Sequence, residues 1–178
     1  MPVTDLPPER PELTDDDIDI EVVEHEPALT ERSTARRAAL QALYEIDAAS
    51  HDLNLVIAHR LEHKPLAKKE ANYMRRLVSG VVGHLVALDE VISRFAPEWP
   101  LDQVAIVDRN ILRLATYELA SRQSIPVNVI VAEAIELAQL YGADGTPRFV
   151  NGVLGAMAQD MNSLQGIVPQ EPEIETES

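Results

Sequence analysis

Between about Thr34 and Met157 the apolar residues recur at three- and four-residue intervals, and no stretch alternates every second residue with β-branched side chains. Helices are therefore predicted throughout. The first runs from about Thr34 to Ala49 with Ser33 or Thr34 as N-cap, and puts Leu40, Leu43 and Tyr44 on one face. Asp52 suits the cap of a second helix through Leu55, Val56 and Leu61, which must end before Pro65 because proline disfavours helical geometry in Lys64. A long stripe follows from Leu66 to Phe95, with Gly80 and Gly83 weakening its middle, so a break or kink into two helices is expected. Pro97-Glu98-Trp99-Pro100 stops that stretch. Asp102 is the predicted N-cap of a helix through Val107, Ile111, Leu112 and Leu114 to about Ala120. Pro126 belongs in the first turn of the next, which carries Ile130, Ala134 and Ala138 and closes at Gly142. Thr146 and Pro147, as N-cap and first helical residue, open the last, with Val150, Val153, Leu154 and Met157 as its apolar face. The predicted fold class is all-α, a compact bundle of about six or seven helices.

Composition narrows the picture. A chain of 178 residues, 46% hydrophobic and 4% aromatic, holds one ordinary domain built of aliphatic side chains. It has no cysteine, which excludes disulfides, thiolate metal sites and cysteine nucleophiles and fits a reducing cytoplasm. No apolar run approaches the ~20 residues that cross a membrane, and the acidic, Pro-rich N-terminus is unlike a secretory signal. The net charge of −15 is unevenly spread: residues 1–31 contribute −10, residues 166–178 contribute −4, and the middle is close to neutral. Three segments follow as expectations: an acidic disordered tail over 1–31, a helical domain over 32–163, and a second acidic disordered tail over 164–178. A neutral domain can still carry the local basic patches that nucleic acid requires.

Candidate catalytic chemistry is thin. His25, His51, His59, His63 and His84 include one four-residue pair, His59 with His63, but no third ligand in evident position and no HExxH. The plain reading of that pair is a solvated helix face. Glu133 and Glu136 share a face without the Glu-x-x-His elements of a di-metal bundle, and are expected to be solvated or paired with arginines. There is no Gly-rich phosphate loop and no GxSxG. The chain reads as a non-enzyme, with no metal site and no cofactor. Basic residues are more informative. Arg32, Arg36 and Arg37 gather at the start of the first helix, where guanidinium and free backbone N–H groups together attract phosphate; the acidic leader just upstream would suit them too. Lys68, Lys69, Arg75 and Arg76 form a second basic run, read as a solvated face.

Four blocks carry a resemblance: Ala39-Leu40-Gln41-Ala42-Leu43-Tyr44, Ile111 to Leu119, Ala132 to Ala138, and Arg148-Phe149-Val150-Asn151-Gly152-Val153-Leu154. In this order and spacing they resemble the NusB family of bacterial transcription antitermination factors, over roughly Arg32 to Met161. The resemblance implies an all-helical RNA-binding domain that captures single-stranded boxA-type RNA together with ribosomal protein NusE. That complex would be delivered to the RNA polymerase antitermination complex during ribosomal RNA transcription. The resemblance further implies phosphate contacts by Arg32, Arg36 and Arg37, and contact with the same RNA by Arg113 from the facing helix. Arg148, Phe149 and Asn151 fall at the loop-to-helix junction; Phe149 reads either as a ring stacking on an unpaired base or as core, and Asn151 as an RNA contact or a loop hydrogen bond. Tyr44, Asp108 and Arg109 map toward the NusE-binding side, Tyr44 being equally suited to half-buried packing.

The chain departs from the family at Ser33 and Thr34, where arginines can occur, at Ala132, where Asn is common, and in its long acidic leader, which is expected to compete for the Arg cluster. Two alternatives stay open. NusB-like domains also occur fused to RNA cytosine methyltransferases, and this chain would then be a fragment lacking the catalytic domain. A helical adaptor that binds only protein is the other, and a homodimer hiding the RNA face is compatible with either.

Overall fold

The computed structural model describes residues 27–121 and 124–170. The expectations for the two acidic tails and for the leader's competition rest mainly on residues outside these. Among the described residues seven α-helices follow one another: α1 (Pro27–Ala49), α2 (Leu53–His63), α3 (Lys68–Gly83), α4 (Leu85–Phe95), α5 (Ile106–Ala120), α6 (Val127–Tyr141) and α7 (Thr146–Gln159), with a short 3₁₀ turn at Met161–Leu164. The all-α expectation is met, and among the described residues there is no strand.

Helix α5 is the axis of the bundle. Every residue from Asn110 to Ala120 is buried, and α1, α3, α4, α6 and α7 all pack against it. Its sequence explains this, because Ile111, Leu112, Leu114, Ala115 and Leu119 spread apolar side chains round the helix, and the polar residues among them, Asn110, Arg113, Thr116 and Glu118, are hydrogen-bonded within the fold. Around it Leu40, Leu43, Met74, Leu77, Leu88, Ile92, Leu154 and Met157 close a single core.

The predicted break between α3 and α4 falls at His84, which ends one helix and starts the next with φ −125°. Its Nδ1 lies 2.8 Å from the Gly80 carbonyl oxygen, so that nitrogen carries the donated proton. Gly80 has a packing role rather than a breaking one. A Cβ there would overlap the ring and hydroxyl of the buried Tyr117, whereas one at Gly83 would meet open space. Gly80→Ala is expected to destabilise the domain by about 1–3 kcal/mol, the usual cost of overpacking a filled core. Urea unfolding would check this, and Tyr117→Leu in the same chain should recover part of the loss.

Several boundaries differ from the predicted ones. Helix α1 starts at Pro27 rather than near Thr34, inside the stretch assigned to the first tail. At the other end Leu164 and Val168 are buried on the core, and Gln170 donates to the Ala120 carbonyl over 3.1 Å, so packed residues extend beyond 163. Asp52 caps α2 as expected, accepting from the amides of Asn54 and Leu55 at 3.0 and 3.2 Å. Asp102 does not cap α5. A turn whose Gln103 and Val104 amides donate to the Pro100 carbonyl takes up residues 100–104, and α5 begins only at Ile106. Thr146 is the first residue of α7 rather than its cap. Its hydroxyl is engaged across the fold, accepting from the Ala143 amide at 3.0 Å and donating to Asp108 at 3.0 Å.

Candidate nucleic-acid and partner interface

Helices α1 and α5 run antiparallel, and two ion networks join them near opposite ends. At the first, Arg36 is 2% exposed and forks onto Glu118, with Nε to Oε1 at 2.8 Å and Nη2 to Oε2 at 3.0 Å. Tyr73 donates its hydroxyl to the same carboxylate at 3.0 Å. Glu133 of α6 lies 3.4 Å from Arg36 Nη1 and accepts from Ser33 Oγ at 2.9 Å. Burial opposes the charge on Arg36, but the Glu118 carboxylate outweighs it and holds the guanidinium protonated well above its ordinary value. Burial, reinforced by the Glu118 charge, drives the Tyr73 hydroxyl upward as well, so the phenol stays a donor.

The second network centres on Asp47. Its carboxylate accepts from Arg109 Nε and Nη2, both at 2.7 Å, from Asn110 Nδ2 at 2.8 Å and from Arg113 Nη1 at 2.8 Å. Arg113 also forks onto Asp89 of α4 at 2.7 and 2.8 Å. Burial pushes the Asp47 carboxyl upward, yet the hydrogen bonds from Arg109 and Asn110 and the nearby cations prevail and hold it below the usual carboxylate range. Asp108 behaves oppositely: burial raises it, and the Thr146 hydroxyl offsets only part of that.

These networks change the standing of two expected RNA contacts. Arg36, expected to meet phosphate, lies in the interior with its guanidinium on Glu118. Arg113, expected to reach the same RNA, is buried at the other network and tied to Asp89 and Asp47. An arginine folded into a core must bring its own carboxylates, and both have done so. The remaining basic candidates are accessible. Arg37 is exposed and pairs with Glu136 at 2.8 Å. Arg32 is half-buried, with its guanidinium 5.7 Å from the Tyr73 ring centroid. The expectation that Glu133 and Glu136 pair with arginines is met by Arg36 and Arg37.

At the start of α7, Arg148 and Asn151 are exposed and Phe149 is half-buried, its ring meeting Trp99 edge to face at 5.9 Å and 63°. Asp108, bonded to Thr146, lies beneath this junction, so an expected partner residue adjoins the expected RNA residues. Tyr44 is 44% exposed on α1, one turn before Asp47, to which Arg109 is fixed. The His59 and His63 rings lie 4.1 Å apart, tilted by 38°, and line a groove of about 430 Å³ between α1 and α2 with Arg37, Glu45, Arg60 and Tyr141. Among the described residues no three metal-ligating side chains converge. Trp99, Glu118, Tyr73 and Asp89 were not anticipated. Glu118 has a signal, being a carboxylate set among Ala115, Tyr117, Leu119 and Ala120 in the last turns of α5.

Among the described residues the geometry is thus a seven-helix bundle with Arg37 and Arg148 exposed and the rings of Trp99 and Phe149 beside the start of α7. The family model "NusB family" matches residues 33–159. The chain belongs to the NusB family. It is 47% identical over 130 residues to the transcription antitermination protein NusB of Bacillus subtilis, covering 73% of this chain and 96% of that one. The corresponding protein of Dehalococcoides mccartyi is 40% identical over 130 residues, covering 73% and 91%. Among solved structures, T. maritima NusB aligns with TM-score 0.68 and 37% identity over 72% of this chain and 91% of that one. A chain from a complex of antitermination factors NusB and NusE with double-stranded RNA gives TM-score 0.68 and 27% identity, covering 74% and 98%. These relatives are antitermination proteins rather than enzymes, and the non-enzymatic reading stands with them. No helix among the described residues is long and apolar enough to cross a membrane.

Proposed function

We propose that this domain is a cytoplasmic transcription antitermination factor that binds single-stranded boxA-type RNA jointly with ribosomal protein NusE. It would deliver that complex to RNA polymerase during ribosomal RNA transcription. The observation that carries this reading is the alignment, over 74% of the chain, with a chain from a complex of NusB and NusE with double-stranded RNA. The surface supports it: Arg32, Arg37 and Arg148 offer phosphate contacts, Phe149 offers a ring and Asn151 a polar group for base edges, and Tyr44 offers an exposed anchor for the partner. A preference for unpaired RNA rests on Phe149, since bases stacked within a duplex leave no face for a ring to meet. Arg36 and Arg113 act here as positioning residues that hold α1 and α4 on α5.

Anisotropy of a labelled single-stranded boxA-type RNA, with and without NusE across a salt series, tests the proposal. Tighter binding with NusE is expected. Arg37→Ala should weaken it and reduce the log–log salt slope by about 0.7, the value for one phosphate contact on a single strand. A folded chain that binds NusE but no RNA in either condition would overturn it. One observation favours that protein-only adaptor: with Arg36 and Arg113 interior, the accessible basic surface is thinner than the sequence suggests. A homodimer covering the same face would show as RNA binding that weakens as protein concentration rises.

A further inference from the structure

Trp99 is the sole tryptophan of the chain and stands 60% exposed in the turn between α4 and α5, with its amide bonded to the Ala96 carbonyl at 3.1 Å. A large aromatic left open to water on a tight turn gains little for folding by being there. Its ring meets Phe149 edge to face at 5.9 Å, and the two rings wall a shallow notch of about 350 Å³ whose lining includes Arg148, Glu98 and Gly152. At 63° the rings meet edge to face without lying parallel, and with Trp99 60% exposed much of the indole surface stays open. Gly152 puts no side chain on its side, and a Cβ there would meet nothing within 4 Å.

From this geometry we infer that Trp99 and Phe149 form a two-ring receptor for one unpaired RNA base, in which the Trp99 indole is the principal stacking surface. The inference deepens the RNA-binding reading above and rests on it. Phe149 alone is half-buried against the core and offers limited area, and Trp99 supplies the rest. Arg148 on the rim marks the side from which a phosphate backbone approaches. Glu98 on the same lining offsets that charge locally. The affinity contributed by the notch therefore comes from stacking, and changes little with salt, while that from Arg37 falls as salt rises.

A solitary tryptophan makes the test direct. The full chain with NusE is titrated with labelled single-stranded boxA-type RNA, following RNA anisotropy and tryptophan emission together, with Trp99→Phe as the emission blank. Saturable quenching is expected, with the same midpoint as the anisotropy and absent from the blank. Trp99→Leu should weaken RNA binding about tenfold at every salt concentration, within the range for one base–aromatic stack, while Trp99→Phe retains most of the affinity. Because Trp99 is mostly exposed, unchanged thermal unfolding of both variants would exclude a folding defect. RNA that binds without quenching, and equally well to Trp99→Leu, would overturn the receptor and leave the RNA reading intact. Quenching by NusE alone, with none added by RNA, would assign the notch to the protein partner and also overturn it. Absence of RNA binding to the parent chain would remove the RNA reading and the receptor with it.

Discussion

Glu118→Ala should destabilise the domain by about 3–5 kcal/mol, because it leaves a guanidinium buried without its fork partner. Arg36 has almost no contact with water, Glu133 remains only at 3.4 Å, and the Tyr73 hydroxyl loses its acceptor in the same step. Equilibrium unfolding in urea would measure the loss. The pair is expected to be far more costly to break than to replace. Arg36→Met combined with Glu118→Leu should therefore recover much of the stability that either truncation removes. If the double variant loses the sum of the two single losses, the two side chains are not coupled and this account of the network fails.

Asp47→Ala has the next largest expected effect, about 1.5–3 kcal/mol, the range for hydrogen bonds to a charged group. The loss is smaller than at Glu118 because Arg113 keeps its fork on Asp89. This site also carries a pH signature. The folded-state pKa of Asp47 lies below its unfolded value, so the folded state favours the carboxylate. That stabilisation is complete above the unfolded value of about 4 and drains away as pH falls through the lower folded value. Unfolding of the parent and of Asp47→Asn at about pH 7 and about pH 2.5 should show a larger gap at the first than at the second. A gap of equal size at both would mean that the Asp47 charge contributes nothing.

The helices were legible because their signals are local: the three-and-four spacing, Asp52 ahead of α2 and the weakened stretch before His84; Pro126, expected inside the first turn of α6, stands one residue ahead of it at the cap position. Asp102 and Thr146 misled because the capping rules see the side chain and not its competitors. The Pro100 turn took up the residues around Asp102, and Asp108, 38 positions from Thr146, claimed the threonine hydroxyl. The buried arginines were illegible for a similar reason. Arg36 belongs to a basic run at a helix start, where solvent is the ordinary neighbour, and the carboxylate that draws it inward is 82 positions away. Arg37, next in the chain, points the other way and stays accessible. Adjacent residues of one motif thus differ wholly in burial, a division that depends on rotation about α1. Trp99 carries no sequence signal of its own, because Pro97 and Pro100 account for the turn without it.

Arg37 and Tyr44 lie seven residues apart on α1, which returns them to nearly the same side of the helix about 10 Å apart. Both are exposed, and the helix beneath them is fastened to α5 at Arg36 and again at Asp47. A nucleic acid seated at one and a protein seated at the other would touch along their flanks. Their mutual assistance would then need no shape change in the helix that carries them: it would be the adhesion of two guests sharing a narrow bench, and its strength would depend on the guests' own facing surfaces.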